Sequence, residues 1–274
     1  MKELVVLITG GASGIGRATA HKLASRGISV VLADMNQEQG TAVANEVAQK
    51  WKVRTKFQKL DVTQEAEVKE AVAAAASLTG RLDFAANCAG VCESVWDEEE
   101  SITTELFERT HAVNTLGLWL CQKYEALQMR TQEPRSISFT PVPEHEIPGQ
   151  RGAIANVVSI SGLHAGGLAA YTPSKYAAAA VSKNGAKFYG PNGIRVNALC
   201  PGWTMTPMIE HSMGKEGAIG SQENQESPVN QKISLRRMAF AEEQANVLSF
   251  LLSDESSYMN GSLIVNDGGY HDIR

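Results

Sequence analysis

The chain is poor in cysteine, in basic clusters and in long apolar runs. Four cysteines, Cys88, Cys92, Cys121 and Cys200, are scattered through 274 residues. No pair has metal-ligand spacing, so neither a metal site nor a disulfide framework is expected. They read as free thiols of a reducing compartment, and the cytoplasm is the expected location. Net charge is −5, and no basic run or basic helix face occurs, so no nucleic-acid partner is expected. The apolar run Leu4 to Ile8 is far too short for a membrane span. It also lacks a signal-peptide cleavage pattern and is read as a first strand. No internal repeat is visible.

What the chain does have is apolar bulk, 43% of residues, enough for the core of one α/β domain spanning 1–274. Short apolar runs alternate with helical stretches. Strands are expected near 4–8, 28–33, 53–60, 82–86, 154–158, 194–199 and 263–265. Helices are expected near 14–26, 38–50, 64–78, 106–129, 171–189 and 241–252. Strand–helix alternation implies about seven parallel strands with helices on both faces, doubly wound through right-handed crossovers. Two stretches break the pattern. The segment near 132–151 carries Pro134, Pro141, Pro143 and Pro148 and is read as an irregular insert. Because it precedes a strand, it belongs at the N-terminal edge of the sheet, away from the ligand edge. The loop near 203–232 follows a strand on the ligand edge and holds Met205, Met208, Ile209 and Met213. It reads either as a lid with an apolar underside or as an ordinary surface loop.

After the first strand comes Gly10-Gly11-Ala12-Ser13-Gly14-Ile15-Gly16. Gly10 permits a sharp exit from the strand, and Gly14 and Gly16 remove side chains where a pyrophosphate and a neighbouring strand approach. The following helix then directs free N–H groups at the anion. Asp34 ends the second strand, where an adenosine ribose would lie. A carboxylate there accepts from ribose hydroxyls and repels a 2′-phosphate, which favours NAD over NADP. Asp61, with Val62, stands in the same kind of place after the third strand. It can accept from an adenine amino group, cap the next helix, or do both. Asn87, after the fourth strand, can fix that strand end or touch the ribose, and a mixed role is expected.

Tyr171 and Lys175 are four residues apart at the start of an Ala-rich helical stretch, which puts both on one face. A phenol titrates near ~10 and is a poor base at neutral pH. Lowering it by roughly three units takes about 4 kcal/mol of phenolate stabilisation. One ammonium at roughly 4 Å in a half-buried site supplies that order of energy. The pair is therefore expected to act as a general acid/base.

Thr9-Gly10-(three residues)-Gly14-Ile15-Gly16, Asn87-Cys88-Ala89-Gly90, Asn114, Ser159, Tyr171-(three residues)-Lys175, Pro201-Gly202 and Asp267-Gly268-Gly269 together resemble the short-chain dehydrogenase/reductase family. The resemblance covers nearly the whole chain. It implies a Rossmann-type fold, a nicotinamide cofactor and hydride transfer at an alcohol or ketone carbon. It casts Tyr171 as the acid/base and Lys175 as the group that lowers its pKa and holds the nicotinamide ribose. Ser159 would hydrogen-bond the substrate oxygen, and Asn114 would hold a water linking Lys175 to solvent. Thr204 and Thr206 would contact the nicotinamide carboxamide. Cys88 stands where a second Asn is usual. Ser159 is twelve residues before Tyr171 and Ser161 ten; the family spacing favours Ser159, leaving Ser161 to the turn. A homodimer or homotetramer is implied, built on the helices around Leu118 and Ala178.

The expected substrate is a small-molecule secondary alcohol or its ketone, lipophilic or polycyclic, walled by 91–96, 163–168 and the Met-bearing loop. His164 is read as a polar pocket residue. Two alternatives stay open: an NADPH-dependent ketone reductase of the 3-oxoacyl type, and a non-catalytic NAD-bound scaffold. A sugar epimerase shares the Tyr–Lys spacing but would want a longer C-terminal part.

Overall fold

The computed structural model describes residues 3–93, 98–137, 147–214 and 224–271, with the side chains at 147 and 148 excepted. Parts of three expected features lie outside these residues: 94–96 of the pocket wall, 138–146 of the insert and 215–223 of the loop near 203–232.

Strand β1 (Val5–Thr9) shows why the sheet is buried on both faces. Val5 and Leu7 enter one apolar cluster, with Leu120, Met129 and Ala186. Val6 and Ile8 enter the other, with Leu23, Val43 and Leu248. An uninterrupted apolar run has this meaning in a parallel sheet covered by helices on both sides. Six more strands join it: β2 (Ser29–Asp34), β3 (Thr55–Lys59), β4 (Phe84–Asn87), β7 (Gly152–Val157), β8 (Ile194–Pro201) and β11 (Leu263–Asn266). The order is β11-β8-β7-β4-β1-β2-β3, and every neighbouring pair is parallel. This is the expected Rossmann-type, doubly wound sheet. Chain direction across the sheet reverses between β1 and β4, and the crevice at their C-terminal ends is where such sheets take ligands.

The glycine turn leads into α1 (Gly14–Ala24); α2 (Gln37–Trp51) and α3 (Glu65–Thr79) follow their strands. Asn36 starts α2 by accepting from the Gln39 N–H at 3.0 Å, and Gly80 ends α3 at φ 83°. The expected helix over 106–129 is instead three pieces. They are α4 (Thr104–His111), a π-helical stretch Ala112–Gly117, and α5 (Leu118–Arg130). Gly117 explains part of this. A Cβ there would stand 2.6 Å from Val62 Cγ2, so the backbone packs directly on the end of the third βα unit. The wider turn also carries Asn114 into the protein, where it is buried.

The insert is not irregular throughout. Arg135–Ile137 (β5) and Ile147–Gln150 (β6) pair antiparallel, as a hairpin. It docks at the N-terminal edge of the sheet, as expected. Arg135 forms a forked ion pair with Asp254, and Gln150 joins Ser257 and Arg195. The loop near 203–232 is also partly regular. Its Thr204–Met205 (β9) pairs with Ala239–Phe240 (β10), and it contains α7 (Pro207–Met213) and α8 (Pro228–Lys232). The helices α6 (Tyr171–Tyr189) and α9 (Ala241–Leu252) lie where the sequence puts them.

Candidate active site

The glycine turn is built around close backbone contacts. A Cβ on Gly16 would meet the Gly10 carbonyl oxygen at 2.1 Å. Gly10 adopts φ +65°, and a Cβ there would meet the Ala89 amide at 2.7 Å. The absence of side chains therefore lets the first turn and the Asn87–Gly90 turn touch across the crevice. Gly14 adopts φ +49°, and a Cβ there would contact only Thr206 and Pro207. Thr206 accordingly faces the glycine turn. The first turn of α1 has no acidic residue, and Ser13 makes no side-chain cap. The N–H groups at this helix start are thus left to an anion, so the residues fit a dinucleotide pyrophosphate.

The other expected cofactor residues divide. Ile15 is half-buried and packs against the core. One Asp34 oxygen accepts from Ala12 N–H and the other from Asn36 N–H, each at 3.0 Å. Asp34 therefore braces the glycine turn. A carboxylate has lone pairs beyond these two bonds and can still accept from a ribose. Lys59 stands beside Asp34 in register on β3, a cation that the residues flanking Asp34 do not foretell. Asp61 spends one oxygen on Thr63, through its N–H at 2.9 Å and its hydroxyl at 2.8 Å, which braces the turn ahead of α3 without capping the helix. Val62 is buried against Gly117.

Asn87 turns inward. Its amide donates to Glu125 at 2.9 Å and to Asn156 at 3.0 Å, so its side chain fixes the strand end rather than reaching a ribose. Thr204 also turns inward. Its hydroxyl donates to the Gly202 carbonyl at 2.9 Å and accepts from Gln244 at 3.0 Å, which leaves Thr206 as the threonine on the cleft. Asn114 grips Val91 with two bonds of 2.9 Å, accepting from its N–H and donating to its carbonyl, and donates to Ser174 at 3.0 Å.

Tyr171 opens α6, and Lys175 follows one turn later; both are buried. The Lys175 amine lies 5.4 Å from the centre of the Tyr171 ring and donates to the Val157 carbonyl at 3.2 Å. Ser159 follows β7, and its side chain acts on the Tyr171 phenol, opposing the rise in its pKa. It also accepts from the Ser161 N–H at 3.0 Å, so Ser161 serves the turn. Ser159, Tyr171 and Lys175 therefore meet at the C-terminal edge.

Their electrostatics differ from the sequence argument. Burial raises the Tyr171 pKa; Cys92 and Glu93 add to this, and Ser159 opposes it. Lys175 does not win in the chain alone. Burial lowers its own pKa to about 8, so it is cationic at neutral pH but only narrowly. Both groups are desolvated together, and desolvation penalises each charged form. Cys88 is pushed up to about 12 by burial and Cys200 to about 11, so these thiols stay neutral.

Glu93 falls in the expected pocket wall, but its role against α6 is not legible in the sequence. It is 5% exposed, and its carboxylate accepts from Ala170 N–H at 3.0 Å and from Tyr171 N–H at 3.1 Å. Nothing local marks it: its partners are 77 and 78 residues away. His164 makes two contacts with the Ile160 carbonyl and stacks on His271, ring centres 4.6 Å apart. A separate hollow of ≈ 470 Å³ lies near the N-terminal edge, lined by Glu3, Arg54, Arg81 and Gln132 among others, far from this chemistry. Among the described residues no cluster of three or more metal-ligating side chains occurs.

A family profile described as enoyl-(acyl carrier protein) reductase matches residues 10–271. The short-chain dehydrogenase fogB of Aspergillus ruber is 36% identical over 270 residues, covering 96% of this chain and 94% of that one. The 2,5-dichloro-2,5-cyclohexadiene-1,4-diol dehydrogenase of Sphingobium indicum is 32% identical, covering 97% and 96%. The crystal structure of levodione reductase superposes with a TM-score of 0.84 at 32% identity, covering 99% of this chain and 98% of that one. With a seven-stranded parallel sheet, a glycine turn at its crevice and relatives that are dehydrogenases and reductases, the chain is an oxidoreductase of the short-chain dehydrogenase/reductase family.

Proposed function

We propose that the chain, acting as one catalytic unit, transfers a hydride between NAD(H) and a secondary alcohol or its ketone, with Tyr171 as general acid/base. One observation carries the reading: a buried phenol, a serine close enough to act on it and an amine beside its ring meet at the edge that holds the glycine turn. The nicotinamide, when bound, accepts or gives the hydride. The chain's own residues do the rest. Tyr171 takes the hydroxyl proton in oxidation and returns it in reduction. Ser159 and Tyr171 together polarise a carbonyl oxygen by hydrogen bonding. The Lys175 cation favours the phenolate and, together with the positive charge of an oxidised nicotinamide, offsets the penalty of burial. Asn114 holds the Val91 segment against α6. The backbone from Ser13 to Gly16 receives the pyrophosphate, Asp34 the ribose and Thr206 the nicotinamide side of the cleft.

NAD is favoured because the carboxylate of Asp34 braces the glycine turn and would repel a 2′-phosphate. NADPH-dependent ketone reduction is the second reading, and Lys59 beside Asp34 is the observation in its favour. The names of the relatives above, a cyclic diol dehydrogenase and a dione reductase, support a small lipophilic alcohol or ketone as substrate. Among the described residues no helix is long and apolar enough to cross a membrane, which accords with a cytoplasmic enzyme. Association into a dimer or tetramer would use outward residues of the π stretch, α5 and α6: Leu116, Trp119, Tyr176 and Phe188 are all exposed. Leu118 and Ala178 themselves are buried within the chain and are not available to a partner.

The test is a panel of alcohols and ketones, followed at the nicotinamide absorbance with each cofactor. NAD-linked turnover of a cyclic secondary alcohol, at least about 10-fold better in kcat/KM than with NADP, is expected, a preference worth about 1.4 kcal/mol. Turnover with NADP alone would overturn the cofactor assignment, and no turnover with either would overturn the reading.

A further inference from the structure

The Glu93 carboxylate has no part in the proton transfer just described, yet it sits against the residue that performs it. It is buried on the segment after β4, and one of its oxygens accepts from both Ala170 and Tyr171 N–H. The other accepts from Tyr171 N–H as well, at 3.1 Å. These amides belong to the start of α6, where no earlier turn supplies carbonyl partners. A carboxylate there is held by charge-assisted bonds and by the helix dipole. The Glu93 carbonyl in turn accepts from the Ser212 hydroxyl of α7 at 3.3 Å, and Ser212 also hydrogen-bonds the neighbouring Cys92. One residue thus joins the segment after β4 to α6 and α7.

We propose that Glu93 is a positioning residue for the catalytic tyrosine: it fixes the first turn of α6, and its negative charge shifts the pH range over which the Tyr171 phenol works. The second part rests on the function proposed above; the first does not. Among the described residues, charged, titratable or polar side chains from four elements act on the phenol or lie against its ring. Lys175 comes from the same helix, Cys92 and Glu93 from the segment after β4, Ser159 from the end of β7 and Cys200 from β8. Burial is the main influence that raises the phenol, and Cys92 and Glu93 reinforce it. With Cys92 neutral, pushed up to about 12 by burial, Glu93 is the charge that can be removed without touching Lys175.

Two variants separate geometry from charge. Glu93→Gln keeps one oxygen for the two amides and loses the charge. Its pH profile of kcat/KM should move its acid limb to lower pH, with kcat at the optimum within about 3-fold of the parent. Glu93→Ala loses both, and kcat should fall about 10- to 100-fold through misplacement of Tyr171. Affinity for NADH, read by fluorescence titration, should stay within about 2-fold for both, because the glycine turn is untouched. Amide hydrogen exchange of the cofactor-free protein gives a readout that needs no turnover. Protection at Ala170 and Tyr171 should drop in Glu93→Ala and persist in Glu93→Gln. If the parent turns over nothing, the function reading fails while the exchange data still decide the positioning role. Unchanged exchange in a folded Glu93→Ala overturns the positioning role. A Glu93→Gln profile that superposes on the parent overturns the charge role, and it does so even if the alanine variant fails to fold.

Discussion

Two buried carboxylates stand at opposite ends of the same strand and have different surroundings. Asp83, just before β4 at the N-terminal edge, accepts from Val5 N–H at 3.0 Å with one oxygen and from Arg81 at 2.6 Å with the other. Glu125 of α5 meets the C-terminal end of β4. One of its oxygens accepts from Asn87 at 2.9 Å, and the other has no partner among the described residues. Burial pushes the Glu125 pKa to about 8. The rest of each edge follows suit. The N-terminal edge is sealed by the chain's own side chains. Gln132 bonds both the N–H and the carbonyl of Leu82, Arg195 bonds Leu251 and Ser253 carbonyls, and Arg135 pairs with Asp254. The C-terminal edge has glycines, a helix start without a side-chain cap, and buried titratable groups held near the limit of their charge. The N-terminal end of the sheet largely pairs its buried groups within the chain, Arg81 Nη2 excepted among the described residues, whereas the C-terminal end leaves a helix start uncapped and one Glu125 oxygen without a partner.

The largest effect that would break this contrast is at the sealed edge. Asp83→Ala leaves Arg81 buried with its partner removed and Val5 N–H unsatisfied. It should cost about 3–5 kcal/mol of stability in urea denaturation, while kcat per folded molecule stays near the parent value. A large kcat loss with stability intact would show that the two edges are not separable.

Gly16→Ala is the mirror experiment. Its added Cβ would meet the Gly10 carbonyl at 2.1 Å, so the turn must open. Affinity for NADH should drop by at least about 100-fold, on the order of 3 kcal/mol, with a smaller loss of thermal stability. Parent-like affinity by calorimetry would remove the glycine turn from the cofactor site.

Glu125→Gln is the smallest and sharpens the comparison through pH. The folded pKa, about 8, lies above the ordinary 4.5 of the unfolded chain. Between these values the folded protein holds a proton that the unfolded chain has released. Parent stability therefore falls as pH rises through that window and levels above about 8. The Gln variant lacks this slope. Its advantage should be near zero at pH 4 and on the order of 1–3 kcal/mol by pH 8.5. Equal pH dependence of the two proteins would place the charge elsewhere.

How much of this was legible depended on how local the cause was. The strand at 5–9 is a local apolar run, and α6 and α9 are marked by composition and by flanking punctuation, so their places are read directly. The π stretch is not. It arises because Gly117 meets Val62 from another βα unit, a contact with no local signature. The hairpin at 135–150 was hidden by prolines, since pairing across a loop leaves only weak periodicity. In the site, the Tyr171–Lys175 spacing and the glycine turn are local patterns. Glu93, the inward turn of Asn87 and Thr204, and Lys59 beside Asp34 are products of tertiary register. In the chain alone, burial outweighs the Lys175 cation at the phenol for a related reason: spacing fixes proximity, whereas burial fixes the dielectric in which proximity acts.

The most direct measurement is the pairing of turnover with cofactor affinity in Tyr171→Phe. With the preferred alcohol, kcat should fall at least about 1,000-fold, roughly 4 kcal/mol of transition-state stabilisation. NADH affinity should hold within a few-fold, because in the proposed mechanism the phenol oxygen serves proton transfer and the backbone from Ser13 to Gly16 holds the pyrophosphate. A phenylalanine variant that turns over at the parent rate would contradict the account.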